Sequence, residues 1–514
     1  MVLQSMCSGA FRLAIVVWSI GCLSTIAAHR ILACEPSPGH SHWNVMSAVL
    51  ESLVAAGHEV VCVTMHPATD RLAAHPNYTH VDMSSMAIGS LQTARDMDYA
   101  HVMKVFRSNA FMVGLATARA MYVCEYLLDM PEIRDMLDGR GPAFDAVIME
   151  SLHSECMSAL PDRLGVPAIY VIPSPPVNWM PVATGAPDHP SYLGAMLADR
   201  PTPVTFGHRL ANALVYVHTT LVRWYSDAGR DHRWPEHRHT MVFVNTHHSV
   251  EPGRPMGPNV LEIGGIHLNR PLEPIPRDLA DVMDSSNEFG VIVFTFGSLV
   301  AMNTLPDDVL DKFKIVFSQL PQTVIWKYEN DTMPDKPENV VLCKWLPQRA
   351  ILHHPNVKLF ISHGGMSGVY EVVEAGVPVL GMPLFYDQPR NIQNLVDLGM
   401  ALSMKINNLT HTALSEAINR IIKDKSFSEN AKRVSSLYRD RPMTPSESVV
   451  YWVEYLIRHG TEADIRPSSA DASWTSHFML DMCAAMVTAL LTIWFVARAV
   501  LHVALDKSIP SDVK

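Results

Sequence analysis

Short apolar strand-like runs alternate with helix-length amphipathic stretches in this chain, in two successive series, and that alternation confines it to parallel α/β architecture. The first series opens with a strand at Arg30–Cys34. A helix follows over Trp43–Ala56, with Val45, Met46, Val49, Leu50, Leu53 and Val54 on one stripe and Gly57 as its stop. Strands are predicted again at Glu59–Thr64, Asp145–Met149 and Ala168–Ile172, and Val102–Leu128 is apolar-rich with helical spacing. A stretch crowded with Pro and Gly, Glu251–Pro276, then breaks the pattern. Strands resume at Gly290–Phe296, Thr323–Lys327, Asn339–Cys343, Lys358–Ser362 and Val377–Gly381, with a helix at Asp307–Leu320. The expectation is two doubly wound, Rossmann-like domains facing each other across a cleft, with ligands beyond the carboxyl ends of the strands. The boundaries read as a first domain over 29–250, a linker over 251–284, a second domain over 285–445, and a terminal helix with a membrane-proximal segment over 446–475.

The two ends are of another kind. Only 18% of the 514 residues are charged, against about 25% in an ordinary globular chain. Arg12 precedes an apolar run from Leu13 to Trp18 that continues to Ala27-Ala28, where small residues resemble a signal-peptidase site. Residues 1–28 therefore read as a signal peptide, with an N-terminal anchor helix as the alternative. Met482–Ala497 is uncharged, and Ala499–Leu505 prolongs the pattern past Arg498, a residue able to snorkel. The segment 482–505 reads as a transmembrane helix, with a buried core helix as the alternative. Residues 506–514 would be a cytosolic tail, which makes a single-pass type I protein with its bulk in the lumen. Its two basic residues, Lys507 and Lys514, give only thin support from the positive-inside rule. Sequons at Asn77, Asn330 and Asn408 fit that route. The net charge of −11 argues against general nucleic-acid binding. Five cysteines between the two end segments (Cys34, Cys62, Cys124, Cys156 and Cys343) show neither metal spacing nor a disulfide framework.

The chemistry is densest over Trp345–Asn391. A short strand ends at Ser362, and His363-Gly364-Gly365-Met366-Ser367-Gly368 turns into a helix expected over Val369–Ala375. Glycines let backbone pass close to a ligand, and free N–H groups at a helix start form an anion site. Ser362, His363 and Ser367 add side-chain donors. Trp345 is placed where an indole can stack on a base, and Gln348 supplies an amide able to pair with a uracil edge. Glu371 lies one turn into the helix, where a carboxylate can accept both ribose hydroxyls, and Asp387-Gln388 follows the next strand at a place suited to sugar hydroxyls. Each residue has an ordinary alternative: Trp345 as partial core, Glu371 as a charge favoured by the helix dipole, Asp387 as a loop cap.

This segment resembles the signature of the UDP-glycosyltransferases. Gly39-His40-Ser41-His42-Trp43, Val293-Phe294-Thr295-Phe296-Gly297-Ser298, Asp440-Arg441-Pro442 and Trp452–Gly460 extend the likeness over essentially the whole chain, the last two most like arthropod members. The resemblance implies a GT-B fold with an N-terminal acceptor domain, a C-terminal UDP-sugar domain and residence in the endoplasmic reticulum membrane. It implies that Trp345 stacks on uracil, with Gln348 near base and ribose and Glu371 on the ribose. Ser298, His363, Gly365, Ser367 and Gly368 would hold the diphosphate, and Asp387 and Gln388 the sugar. No metal or other cofactor is implied.

The same likeness makes His42 the catalytic base, able to take a proton from an acceptor hydroxyl as that oxygen attacks the anomeric carbon. His40 stays open as an alternative on sequence alone. A carboxylate is expected behind the base. Many relatives carry Asp at the end of the strand Phe144–Glu150; this chain has Glu150 there, with Glu155 as the fallback and Asp145 read as structural. The expected reaction is inverting transfer of a hexose, glucose before glucuronate, to a small lipophilic acceptor. Apolar residues around Phe106–Tyr126 and Ala168–Trp179 would meet that acceptor, or serve as ordinary core. An inert membrane-anchored binding protein and a dedicated lipid or sterol transferase are the competing readings. The sequence leaves association into homo-oligomers open.

Overall fold

The structure, a computed structural model, describes residues 28–86, 96–106, 122–123, 126–150, 157, 159–177, 185–186, 188–227, 240–460 and 465–508. The expected signal peptide, apart from its last residue, therefore lies outside the described residues, as do Glu155, Cys124, Cys156 and the last six residues of the tail.

Among the described residues, seven parallel strands form the first sheet: β1 (Arg30–Glu35), β2 (Glu59–Thr64), β3 (Tyr78–Asp82), β4 (Ala146–Glu150), β5 (Ala168–Ile172), β6 (Thr240–Val244) and β7 (Val260–Glu262). Their spatial order is 3-2-1-4-5-6-7. Six parallel strands form the second: β8 (Val291–Thr295), β9 (Thr323–Lys327), β10 (Val340–Cys343), β11 (Val357–Ser362), β12 (Val379–Gly381) and β13 (Ala401–Ser403), in the order 10-9-8-11-12-13. Each sheet carries an apolar cluster on either face. The central strands accordingly read as unbroken apolar runs, as both-face burial demands. In both sheets the order reverses beside the first strand of the domain, β1 against β4 and β8 against β11, and those switch points face the cleft.

The segment expected as a linker is more structured than its prolines suggest. Val260–Glu262 adds β7 to the first sheet, pairing Val242 with Val260 and Val244 with Glu262, and Ile266–Asn269 forms a short 3-10 turn. A three-residue strand flanked by prolines carries too little periodicity to be read. The helix after β1, α1 (His40–Ala55), starts three residues earlier than its apolar stripe indicated, behind an extended Gly39. His42 therefore sits inside its first turn.

Two exchanges tie the domains together. Met97 bridges to Val300, and the helix Tyr99–Val105 buries Tyr99 and Val102 in the core of the second domain beside Phe294 and Trp326. In return α2 (Pro445–His459), opened by a Thr444/Glu447 capping box, buries Val449, Val453 and Leu456 against the first domain. Ser446 Oγ lies 2.7 Å from Ser52 Oγ of α1.

The last described element is α3 (Leu480–Ser508). Its stretch Leu480–Ala504 is apolar and none of it is buried against the protein, which removes the core-helix alternative. At 1.5 Å per residue its 25 residues span about 38 Å, more than the ~30 Å of a bilayer core. Arg498 lies within this apolar stretch, its guanidinium 5.4 Å from the Trp494 ring centroid.

Candidate active site

A cleft of about 650 Å³ opens between the carboxyl ends of the two sheets. On its second-domain side β11 ends at Ser362, and Gly364, at φ +86°, turns the chain toward the helix Met366–Ala375. A side chain at Gly364 would meet Ile392 Cγ1 at 2.6 Å in a backbone conformation that already favours glycine, and one at Gly365 would meet His363 Nε2 at 2.6 Å and displace that ring. The first intrahelical bond is Val369 N to Gly365 O. The preceding N–H groups of Met366, Ser367 and Gly368 have no intrahelical acceptor and stand at the positive end of the helix dipole. Ser298 approaches from the loop after β8, where Gly297 adopts φ +79° against the His363 ring. Burial, helped by the Lys327 charge, lowers His363 to about 4. It is neutral at physiological pH.

Trp345, 49% exposed, follows edge strand β10 and lines the cleft. Gln348 Nε2 donates to Glu371 Oε2. Burial pushes Glu371 up to about 7, against the lowering effect of that hydrogen bond and of Arg349. Asp387 accepts from Asn391 Nδ2 at 2.8 Å. Gln388 spends its carbonyl on the N–H groups of Leu384 and Phe385, at 2.9 and 3.2 Å. Every donor-side residue singled out in the sequence thus lines this one cleft.

The first domain supplies the opposite wall. His42 Nδ1 lies 3.5 Å from Glu150 Oε1, and Glu150 is 1% exposed. The longer side chain at the end of β4 spans the gap to α1. His40 is exposed at the first residue of α1, its ring 6.5 Å from that of His66. Asp145 accepts from Arg30 N at 2.7 Å at the far end of the sheet, a structural role. Phe106, Pro173, Met196 and Leu197 of the first domain and Leu299 and Phe385 of the second give the cleft an apolar lining, with Phe106 and Phe385 stacked at 4.1 Å.

Several charged or titratable residues beside the cleft were missed in the sequence, four of them notable. Arg270, Lys327 and His267 line the cleft. Arg270 pairs with Glu51 and donates to Asn44 Oδ1 at 2.7 Å. Lys327 pairs with Asp96 and Glu329 at 3.2 and 2.7 Å. A lysine closing the apolar run Thr-Val-Ile-Trp-Lys was a legible signal: a charge at the carboxyl end of a buried strand. The fourth, Glu35, closes β1 in the same way, buried beside His42 and Glu150.

The sequence model described as "UDP-glucoronosyl and UDP-glucosyl transferase" matches residues 35–514. The chain belongs to that family. Among its relatives, UDP-glucosyltransferase 2 of Dactylopius coccus is 34% identical over 506 residues, covering 95% of each chain. Human UDP-glucuronosyltransferase 1A3 is 29% identical, covering 89% of this chain and 88% of its own. The fold agrees with solved GT-B transferases. The calicheamicin glycosyltransferase CalG4 superposes with a TM-score of 0.55 at 18% identity, over 85% of this chain and all of its own. LpCGTa, solved in complex with UDP, gives 0.52 at 16% identity, over 84% of this chain and all of its own. The chain is therefore a UDP-glycosyltransferase of GT-B fold.

Proposed function

We propose that this UDP-glycosyltransferase moves a neutral hexose, glucose first, from UDP to a hydroxyl of a small lipophilic acceptor, inverting the anomeric centre, with His42 as general base. The observation that carries this reading is the His42–Glu150 pair, set across the cleft from the glycine-framed helix start. In it the diphosphate lies on the N–H groups of Met366, Ser367 and Gly368, with Ser298 and His363 beside it and no metal required for its charge. Uracil stacks on Trp345 next to Gln348, the ribose hydroxyls bind Glu371, and Asp387 and Gln388 take the sugar.

Charge favours a neutral sugar. The cations lining the cleft are already matched: Arg270 by Glu51, Arg349 by Glu374 and Lys327 by Asp96 and Glu329. Asp387 and Glu150 both act on Tyr386 at the sugar end, where a glucuronate carboxylate would meet like charge. A donor panel scored by product mass tests this: UDP-glucose should outpace UDP-glucuronate by at least tenfold with a phenolic acceptor. Equal or inverted rates would overturn the choice of sugar, and failure to consume any UDP-sugar would favour the inert binding protein.

We further propose that α3 anchors the protein in the endoplasmic reticulum membrane with both domains lumenal. Truncation after Met479 should move the protein from the membrane pellet to the supernatant, with its UDP-sugar affinity within about threefold of the full chain. Retention in the pellet would count against α3 as the anchor. Asn330 and Asn408 are exposed, whereas the Asn77 amide is half-buried and donates to Gly57 O at 3.2 Å. Glycan mapping should find the first two occupied ahead of Asn77.

A further inference from the structure

We propose that Glu35, His42 and Glu150 form a capture site for a zinc-class divalent cation, which removes the base and switches the transferase off. The proposal rests on the reading of His42 as base. β1 and β4 are parallel neighbours, with Cys34 opposite Met149. Glu35 and Glu150 are the next residues of each strand, so they stand side by side at the switch point. Cys34 and Met149 point into one apolar cluster, while Ala33 and Ile148 point into the other, beneath α1. Strand alternation therefore turns both glutamates toward α1 and its first-turn histidine.

One ligand atom from each of the three side chains lies within 4.8 Å of the other two. The Nδ1–Oε1 distance of 3.5 Å is close to the ~3.4 Å that two ligand arms of about 2.0–2.2 Å subtend at a tetrahedral ion. Glu35 is fully buried. Its Oε1 accepts from Ser37 N at 3.2 Å, which fixes the carboxyl, while its Oε2 is buried with no hydrogen-bond partner among the described residues. Nor does any basic side chain among the described residues form an ion pair with it. Burial and the neighbouring Glu150 charge hold the Glu35 carboxyl well above the usual carboxylate range.

Two buried carboxylates this close require a countercharge, either a proton or a cation. One imidazole nitrogen with two carboxylates suits zinc, which takes mixed N and O ligands in fours, better than magnesium or calcium, which want a larger shell of oxygens. The consequence for the reaction follows from the ring. A neutral imidazole has one proton, and a metal on Nδ1 confines that proton to Nε2. Neither nitrogen then has a lone pair for the acceptor hydroxyl, while the donor side of the cleft is untouched.

The test uses the full chain in detergent or nanodiscs with buffered Zn²⁺. Turnover of UDP-glucose with a phenolic acceptor should fall in Zn²⁺ and recover in EDTA. In E35Q, normalised to its own rate in EDTA, half-inhibition should require at least tenfold more Zn²⁺. Direct Zn²⁺ binding to the purified chain should weaken at least tenfold in both E35Q and H42A, with retained UDP-glucose binding showing that each variant is folded. Wild-type turnover indifferent to Zn²⁺, or equal Zn²⁺ sensitivity in E35Q, would overturn the proposal. The binding arm separates it from the reading beneath it. An H42A chain that lost zinc but kept turnover would sink the base and leave the metal site standing.

Discussion

Replacing His42 by alanine is expected to lower kcat by about 10²–10⁴-fold, the usual worth of a positioned general base, with the KM for UDP-sugar changed by less than about threefold. The split follows from the geometry. His42 belongs to α1 of the first domain, whereas the donor-side residues Trp345, Gln348, Ser367 and Glu371 belong to the second. Removing the imidazole takes away a group that acts as the acceptor oxygen loses its proton and leaves donor binding intact. Glu150 offers a companion measurement. E150Q keeps the shape of the side chain but not the charge that stabilises an imidazolium, and should cost kcat about 10²-fold or more. Shortening the arm in E150D should also be costly here, since it draws the carboxylate back from its 3.5 Å approach to the imidazole. Full kcat in H42A would sink the assignment of the base.

Much of this arrangement is legible in the sequence, because both sheets bury their central strands on two faces and so display them as apolar runs. Ala168–Ile172 and Thr323–Lys327 coincide with β5 and β9 as anticipated. β3 escaped because Tyr-Thr-His-Val-Asp is polar and half-exposed, as an edge strand can be. β7 and the short β13 were too brief for any periodicity. β6 was missed although its Thr-Met-Val-Phe-Val run is as apolar as its neighbours. The second-domain wall of the cleft could be read because a single contiguous segment carries most of it. The base side could not be completed, since the nearness of Glu35 to Glu150 depends on β1 and β4 being neighbours, and strand order is a property of the whole sheet. The cleft-lining His267 and Arg270 were hidden for a related reason: the prolines around them suggested a linker, and nothing local reveals that this stretch folds back over α1.

UDP-sugar affinity should itself depend on pH, through Glu371. With its carboxyl pushed up to about 7 in the ligand-free cleft by burial, about half of the molecules are protonated there near neutrality. Two ribose hydroxyls donating to the carboxylate favour the ionised form, so binding must expel the proton whenever pH lies below that value. The dissociation constant for UDP-glucose should therefore be flat above about pH 8 and rise toward tenfold per unit as pH falls below 7. A nucleotide sugar suits this measurement because its diphosphate is esterified at both ends and has no terminal phosphate titrating near 6. E371Q removes the titration and the charge together. Its affinity at pH 8 should be about tenfold to hundredfold weaker, the range for losing a hydrogen bond to a charged group, and nearly independent of pH between 6 and 8. The sign is opposite for the stability of the ligand-free protein. Between the ordinary glutamate value of 4.5 and about 7 the folded state holds the extra proton, so this group's contribution to stability declines as pH rises through that window. Calorimetric titration of wild type and E371Q across pH 6–8 checks the binding slope. A slope that survived in E371Q would place the titrating group elsewhere in the cleft.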